Sequence, residues 1–334
     1  MEHATALSIP PLISGGVMLS YRCTNTCRHC LYRCSPQSPD EWMTMETART
    51  IFSALQREQR LHSVHLAGGE ATLRMDLLVD VVALASETGI PLAYLETNAI
   101  WCVDEGKTRT VMRRLADAGL PAVLVSASMY HNEFVPFART KMCVEIAHEV
   151  FGRGGVIVWV QHVYDALEAI GQHDRTHTLE EFCALTGLAD RPQALPGLYG
   201  LTVGGRVCSA LRDCFVPQAG ESYRNCTCRR ELTSTSHFHI DPGGRLFTGT
   251  CAGIVPATSE DFHPAISAAS HPVFTTLCGG GPWALAELAA RQCAFKPREQ
   301  GYVSKCDLCL DARGSLERLG TYSELAPAGF YRTA

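Results

Sequence analysis

Between Gly16 and about Gly205, short β-rich apolar runs alternate with stretches of helical periodicity, and no other feature of the sequence restricts the fold as much. Strands are predicted over 16–21, 63–66, 92–97, 122–128, 156–161 and 198–203. Between the first two, Thr44 stands as an N-cap ahead of Ala48, Ile51, Phe52 and Leu55, which share one helical face. Asp76 opens the next helix, over 77–87, and further helices are predicted over 104–118 and 137–151. A strand followed by a helix and another strand needs parallel pairing with a right-handed crossover. About six such units make either an incomplete α/β barrel or an open doubly wound sheet. In both, chemistry belongs at the carboxyl ends of the strands. After about Gly205 the pattern fades and Cys, Gly and Pro become frequent; one hairpin is legible, with strands at 237–240 and 245–248 around a turn at 241–244.

Composition narrows the function classes. A chain of 334 residues with 46% hydrophobic and 19% charged content can bury a sizeable core. Residues 1–12 lack a basic start followed by an apolar stretch, and the best apolar run, 77–85, is short and interrupted by Asp80, so neither secretion nor membrane spanning is expected. With 29 Lys and Arg against 34 Asp and Glu the net charge is -5, and no basic run tracks a phosphate backbone, so nucleic acid is not an expected partner. The 16 cysteines are the anomaly. In a chain without an export signal they are expected as reduced thiols in the cytoplasm, and thiols in such numbers suggest metal.

Four cysteines gather directly after the first strand, where Cys23-Thr24-Asn25-Thr26-Cys27-Arg28-His29-Cys30 forms a C-x3-C-x2-C loop followed by Cys34. Three thiolates on one short loop can hold three irons of a four-iron cluster and leave the fourth open to a substrate or cofactor. The loop alone is also compatible with structural zinc completed by Cys34 or His29. Its spacing and its place between a first strand and a helix resemble the signature of the radical S-adenosylmethionine (SAM) superfamily. In that family the residue before the third cysteine is commonly aromatic and lies near the adenine; His29 holds that place here.

The second strand ends in Gly68-Gly69-Glu70, which is similar to the family's GGE motif, whose backbone and carboxylate receive the methionine amino group. Glycines let a ligand approach the main chain, and a carboxylate at a strand end accepts from an ammonium. The family also places polar side chains at the ends of the third and fourth strands against the methionine carboxylate and the ribose. Glu96-Thr97-Asn98 and Ser126-Ala127-Ser128 stand there, so Thr97, Asn98, Ser126 and Ser128 are expected contacts. The acidic ribose partner expected after the serine is replaced by Met129. Over residues 16–205 the resemblance implies a partial (β/α)6 TIM-like barrel, a [4Fe-4S] cluster on Cys23, Cys27 and Cys30, SAM, and an electron donor such as flavodoxin or ferredoxin.

Nine cysteines lie between Cys208 and Cys309. Cys228, a glycine-turned hairpin at Gly244, Cys251 and a distant Cys306-Asp307-Leu308-Cys309 resemble the SPASM or twitch extensions of radical SAM enzymes, although Gly244 to Cys251 is two residues longer than the usual SPASM spacing. The resemblance implies one auxiliary [4Fe-4S] site on Cys228, Cys251, Cys306 and Cys309. Cys226, Cys278 and Cys293 are substitutes, and zinc on the same four thiolates is the alternative. Two domains are thus expected, a radical SAM core over 1–205 and a small cysteine-rich iron-sulfur domain over 206–334.

Tyr130, His131 and Glu133, in a titratable run after the fourth strand, and Arg206, after Gly204-Gly205, are the catalytic candidates. His237, His239 and Asp241 on the hairpin are equally compatible with plain strand and turn positions. The expected activity is abstraction of a substrate hydrogen by a 5'-deoxyadenosyl radical, with the auxiliary cluster aiding oxidation or crosslinking of a small metabolite or a peptide. Two alternatives use the same residues: a methyl or aminocarboxypropyl transferase of radical SAM type, and a non-enzymatic iron-sulfur or zinc scaffold or redox sensor.

Overall fold

Five parallel strands stand side by side in chain order: β1 (Ser14–Met18), β2 (Ser63–Ala67), β3 (Leu92–Thr97), β4 (Val123–Ser126) and β5 (Val156–Trp159). The structure is a computed structural model and describes residues 7–331. The first six residues, part of the stretch read above for a targeting signal, and the last three, the end of the second expected domain, lie outside the described residues. Each crossover carries a helix: α1 (Met45–Leu55), α2 (Met75–Glu87), α3 (Glu105–Asp117), and the one-turn α4 (Met129–Asn132) with α5 (Phe137–Phe151). The N-cap of α1 is Thr44, whose hydroxyl accepts from Thr47 N, and its buried face carries Ala48, Ile51, Phe52 and Leu55. Asp104 caps α3 in the same way. Asp76 sits in the first turn of α2, after a 3-10 turn at Ala71–Arg74.

One prediction fails. Residues 198–203 do not form a sixth strand; they follow from α8 (Leu195–Tyr199), after α6 (Gln161–Ile170) and α7 (Leu179–Leu185), into a loop. Pro196 favours the first turn of a helix, and Gly200, with φ of 72°, ends it in the left-handed conformation.

The chain then passes through short helices α9 (Val207–Ala210) and α10 (Arg229–Leu232) to β6 (Phe238–Ile240). β6 pairs in parallel with β1, on the side away from β2, and β7 (Arg245–Phe247) and β8 (Ala257–Thr258) extend the sheet antiparallel. The eight strands run β5-β4-β3-β2-β1-β6-β7-β8, a parallel-dominated sheet that is not closed into a barrel. α11 (Pro272–Cys293), kinked at Gly281–Pro282, packs against α12 (Lys305–Glu317).

Alternation along the strands divides the sheet into two faces. Val17, Leu66, Leu95, Val125 and Ile240 belong to an apolar core that runs from Ile9 to Leu325, so sheet and core both continue across residue 205. The other face carries Gly16, His65, Tyr94, Glu96, Ser126 and Trp159 at alternate positions. No helix among the described residues is long and apolar enough to cross a membrane.

Candidate active site

A cavity of about 390 Å³ opens at the carboxyl ends of the strands, and Cys23, Cys27, Cys30 and Cys34 line it together with Gly68, Gly69 and Glu70. The loop is tied down from several sides. Cys23 N donates to Ser35 O at 3.2 Å, and Asn98 Nδ2 reaches Thr24 Oγ1 at 3.1 Å and Cys23 Sγ at 3.8 Å. Arg206 donates through Nη1 to Cys27 O at 2.8 Å, through Nη2 to Cys34 O at 3.0 Å, and through its main-chain N to Cys30 O at 3.0 Å.

Burial pushes the Cys23 thiol up to about 12 and that of Cys27 up as well. Cys30 is drawn down to about 6 by a hydrogen bond from Cys34, whose own thiol is raised. Buried thiols of this kind ionise when a bound cation offsets the cost, and an all-sulfur donor set on one loop suits iron-sulfur ligation. Among the described residues no three His, Cys, Asp or Glu side chains converge as they would on a single metal ion. A cuboidal cluster is held by thiolates ranged around its corners, and the three loop cysteines supply sulfur donors around one cavity.

Glu70, 1% exposed, is held in place by its neighbours. Its carboxylate accepts from Thr72 Oγ1 at 2.5 Å, Thr97 Oγ1 at 2.9 Å and Asn98 N at 2.7 Å. Burial nevertheless raises its pKa. Gly69 must be glycine on steric grounds, because a Cβ there would lie 2.0 Å from Arg22 O. On the opposite wall the His29 ring packs 5.0 Å from Tyr130, 4.9 Å from His131 and 4.7 Å from Tyr199, and its Nε2 is 3.0 Å from Tyr199 Oη. Burial lowers the pKa of His29 well below its ordinary value, so the ring is neutral, and its Nδ1 is buried without a partner.

The cavity wall includes His29, Gly68, Gly69, Glu70, Thr97, Asn98, Ser126 and His131. Ser128 is absent from it: its hydroxyl caps α4 and lies 2.7 Å from His131 Nδ1, so it orients that ring. Burial brings His131 down to about 4. Tyr130, Glu133 and Arg206, expected at the cavity, are placed elsewhere. Tyr130 is fully buried in an apolar cluster with Phe137, Val163 and Phe182. Glu133 forms a forked ion pair with Arg28, at 2.8 Å from Nη2 and 3.1 Å from Nε. Arg206 lies behind the cysteine loop, where its guanidinium is engaged by carbonyls.

The second cysteine group borders a cavity of its own. Cys228, Cys251, Cys306 and Cys309 line one small cavity of about 40 Å³ with Leu31, Lys305 and Arg313. Cys306 and Cys309 stand three apart in the first turns of α12, which puts both on one helix face. Burial pushes Cys228 up to about 12, Cys306 up to about 11 and Cys251 upward too. Cys226, Cys278 and Cys293 do not line this cavity. A single peptide link separates the two sites, since Cys30 lines the first and Leu31 the second.

Sequence reasoning passed over His65, Tyr94, Trp159 and Tyr199, gave Glu96 no role beyond its place at a strand end, and left His237 equally compatible with a plain strand position. All but His65 line the large cavity, and His65 touches three of them. The signal was the recurrence of polar and aromatic residues at alternate strand positions, which has meaning only once the strands are set side by side.

The family model described as "Radical SAM superfamily" matches residues 17–179. These residues are a radical SAM superfamily domain. The protein is an enzyme built on it, and the family implies a [4Fe-4S] cluster with SAM and cleavage of SAM by a radical mechanism. No curated protein matches the sequence. Among solved structures, methylornithine synthase (PylB) is 18% identical, with 44% of this chain and 43% of that chain covered and a TM-score of 0.35, so this chain spans less than half of that protein. BtrN, in complex with AdoMet and 2-DOIA, is 12% identical over 82% of this chain and 90% of its own, with a TM-score of 0.41. The enzyme anSMEcpe with bound AdoMet is 15% identical over 71% and 74%, with a TM-score of 0.37.

Proposed function

We propose that this radical SAM enzyme abstracts a hydrogen from a small metabolite or a peptide, and that an auxiliary [4Fe-4S] site takes part in the oxidation or crosslinking that follows. When bound, the first cluster and SAM supply reductive cleavage of the sulfonium and a 5'-deoxyadenosyl radical. The chain's own part is positioning. Cys23, Cys27 and Cys30 hold the cluster; Glu70, locked by Thr72, Thr97 and Asn98, receives the methionine ammonium; Gly68 and Gly69 clear its approach. Neutral His29, with Tyr199 against it, offers a planar face to the adenine, and Ser126 and His131 close the wall. The observation that carries this reading is that the cysteine loop and Gly68–Glu70 share one cavity.

The auxiliary site is assigned to Cys228, Cys251, Cys306 and Cys309 because all four line a single enclosed space. On this reading residues 1–205 are the radical SAM core and 206–334 a twitch or SPASM-like unit. All 16 cysteines are free thiols, which fits a reducing, cytoplasmic setting and an electron donor of the flavodoxin or ferredoxin type. The test is anaerobic reconstitution with iron and sulfide, then reduction by dithionite with SAM present. The expected product is 5'-deoxyadenosine; recovery of S-adenosylhomocysteine or methylthioadenosine alone, or of zinc in place of iron, overturns the reading.

A further inference from the structure

The cavity-lining face of the sheet carries a second polar group that the SAM site leaves unused. His239, Gly16, His65 and Tyr94 stand in one registered row across β6, β1, β2 and β3, and Glu96 lies two residues beyond Tyr94 on the same face. His65 Nε2 is 3.3 Å from His239 Nε2 and 3.6 Å from Glu96 Oε1, and its ring stacks on Tyr94 at 4.9 Å. His237 packs 4.9 Å from His239. Gly16 makes room for the pair, since a Cβ there would meet His65 Nε2 at 2.4 Å.

The charges of this wall are one-sided. Two carboxylates, Glu70 and Glu96, line the cavity beside the cysteines, and among the described lining residues there is no Lys or Arg. Glu70 is committed to its three neighbours. Glu96 is not: the His65 imidazole stands 3.6 Å from it, and 38% of its side-chain surface stays open. Burial takes His65 down to about 3 and His239 well below its usual range, so both imidazoles are neutral and offer Glu96 no counter-charge when it ionises. An anionic substrate would meet a carboxylate and no cation. An ammonium would find its counter-ion in a cavity that Tyr94, Trp159 and Tyr199 also line.

Resting on the function proposed above, we infer that the cavity takes a substrate bearing a protonated amino group, anchored on the Glu96 carboxylate, and rejects phosphorylated or carboxylate substrates that lack one. His65 is the positioning residue, fixed by the Tyr94 stack and the His239 contact so that Glu96 faces the cavity. Burial and the charge of Glu70 hold Glu96 at about 7 without a ligand, and a neighbouring ammonium returns it to the ionised form.

Glucosamine, glucose and glucuronate form a matched series on one ring, differing in charge. Calorimetric titration of the reconstituted full chain with SAM present should show glucosamine binding at least about tenfold more tightly than glucose, and glucuronate more weakly than either. Glu96→Gln should bring the amine preference close to unity, and Glu96→Asp should keep part of it. Glucuronate binding as tightly as glucosamine, the absence of any preference among the three, or a preference that survives Glu96→Gln overturns the inference. So does an equal loss of SAM affinity in Glu96→Gln, because the carboxylate would then serve SAM. Wild type that selects the amine yet yields no 5'-deoxyadenosine keeps this inference and brings down the radical reading; the opposite pair of results does the reverse.

Discussion

The two cysteine sites differ in how much room they enclose and in what surrounds them. The amino-terminal loop borders a cavity of about 390 Å³ whose wall is rich in polar strand ends, whereas the carboxy-terminal four share about 40 Å³ with Leu31, Ile254, Leu277 and Arg313. Space next to thiolates is useful only if something other than protein must reach the metal. On the function proposed above, four cysteines around a small, largely apolar cavity would hold a cluster that carries electrons and that no organic ligand approaches. The neighbouring cation fits it too: Arg313, 4% exposed, donates to Ala252 O at 2.8 Å and to Tyr331 Oη at 2.9 Å.

The sharpest way to break this contrast is Cys30→Ala. It removes one of three proposed ligands at the open site, and 5'-deoxyadenosine formation should fall to background, at least about 100-fold, in an anaerobic dithionite assay. Cys306→Ala should lower iron content by about half while the reduced first cluster keeps its paramagnetic resonance signal; unchanged iron means that the second site is not a cluster. Arg206→Ala strips the two guanidinium tethers from the loop, takes from Cys34 O its donor, and should cost about 3 kcal/mol in urea unfolding. Little loss would mean that the loop holds its shape unaided.

Thr97→Val is subtler. It deletes the 2.9 Å hydrogen bond to Glu70 and should weaken SAM binding about tenfold by calorimetry. The smallest effect concerns the join between the two parts of the chain, where His263 Nε2 lies 2.7 Å from Glu58 Oε1 and Nδ1 lies 2.8 Å from Ile9 O. Against partial desolvation, the Ile9 carbonyl and the Glu58 carboxylate raise the pKa of His263 above 6.5. Its contribution is therefore complete below pH 6.5 and is lost as pH rises through the folded-state value. His263→Gln should lower stability by about 0.5 kcal/mol at pH 6 and by less at pH 9, followed by thermal unfolding.

Local signals were enough for much of the fold. Thr44 and Asp104 cap the helices they precede, and the five leading strands fall within a few residues of their expected places. They were not enough at residues 198–203, where an apolar, β-branched composition was overruled by Pro196 and Gly200. The same limit explains the candidate residues. Glu133 reads as free until Arg28, 105 positions earlier, is brought against it. Arg206 reads as a ligand clamp until its guanidinium is found behind the cysteine loop.

What the sequence settled alone is what depends on short spacing: three thiols on one loop, two glycines and a carboxylate at a strand end, and helices that begin where a capping side chain stands. The pairing of β6 with β1 could be decided only in three dimensions. That contact sets His239 beside His65 and closes one side of the wall around Glu96. The reason is geometric. Spacing along a chain is written in residue order, whereas register between strands whose partners, Gly16 and His239, are 223 positions apart is chosen by which packing of the whole core buries most apolar surface without stranding a polar group.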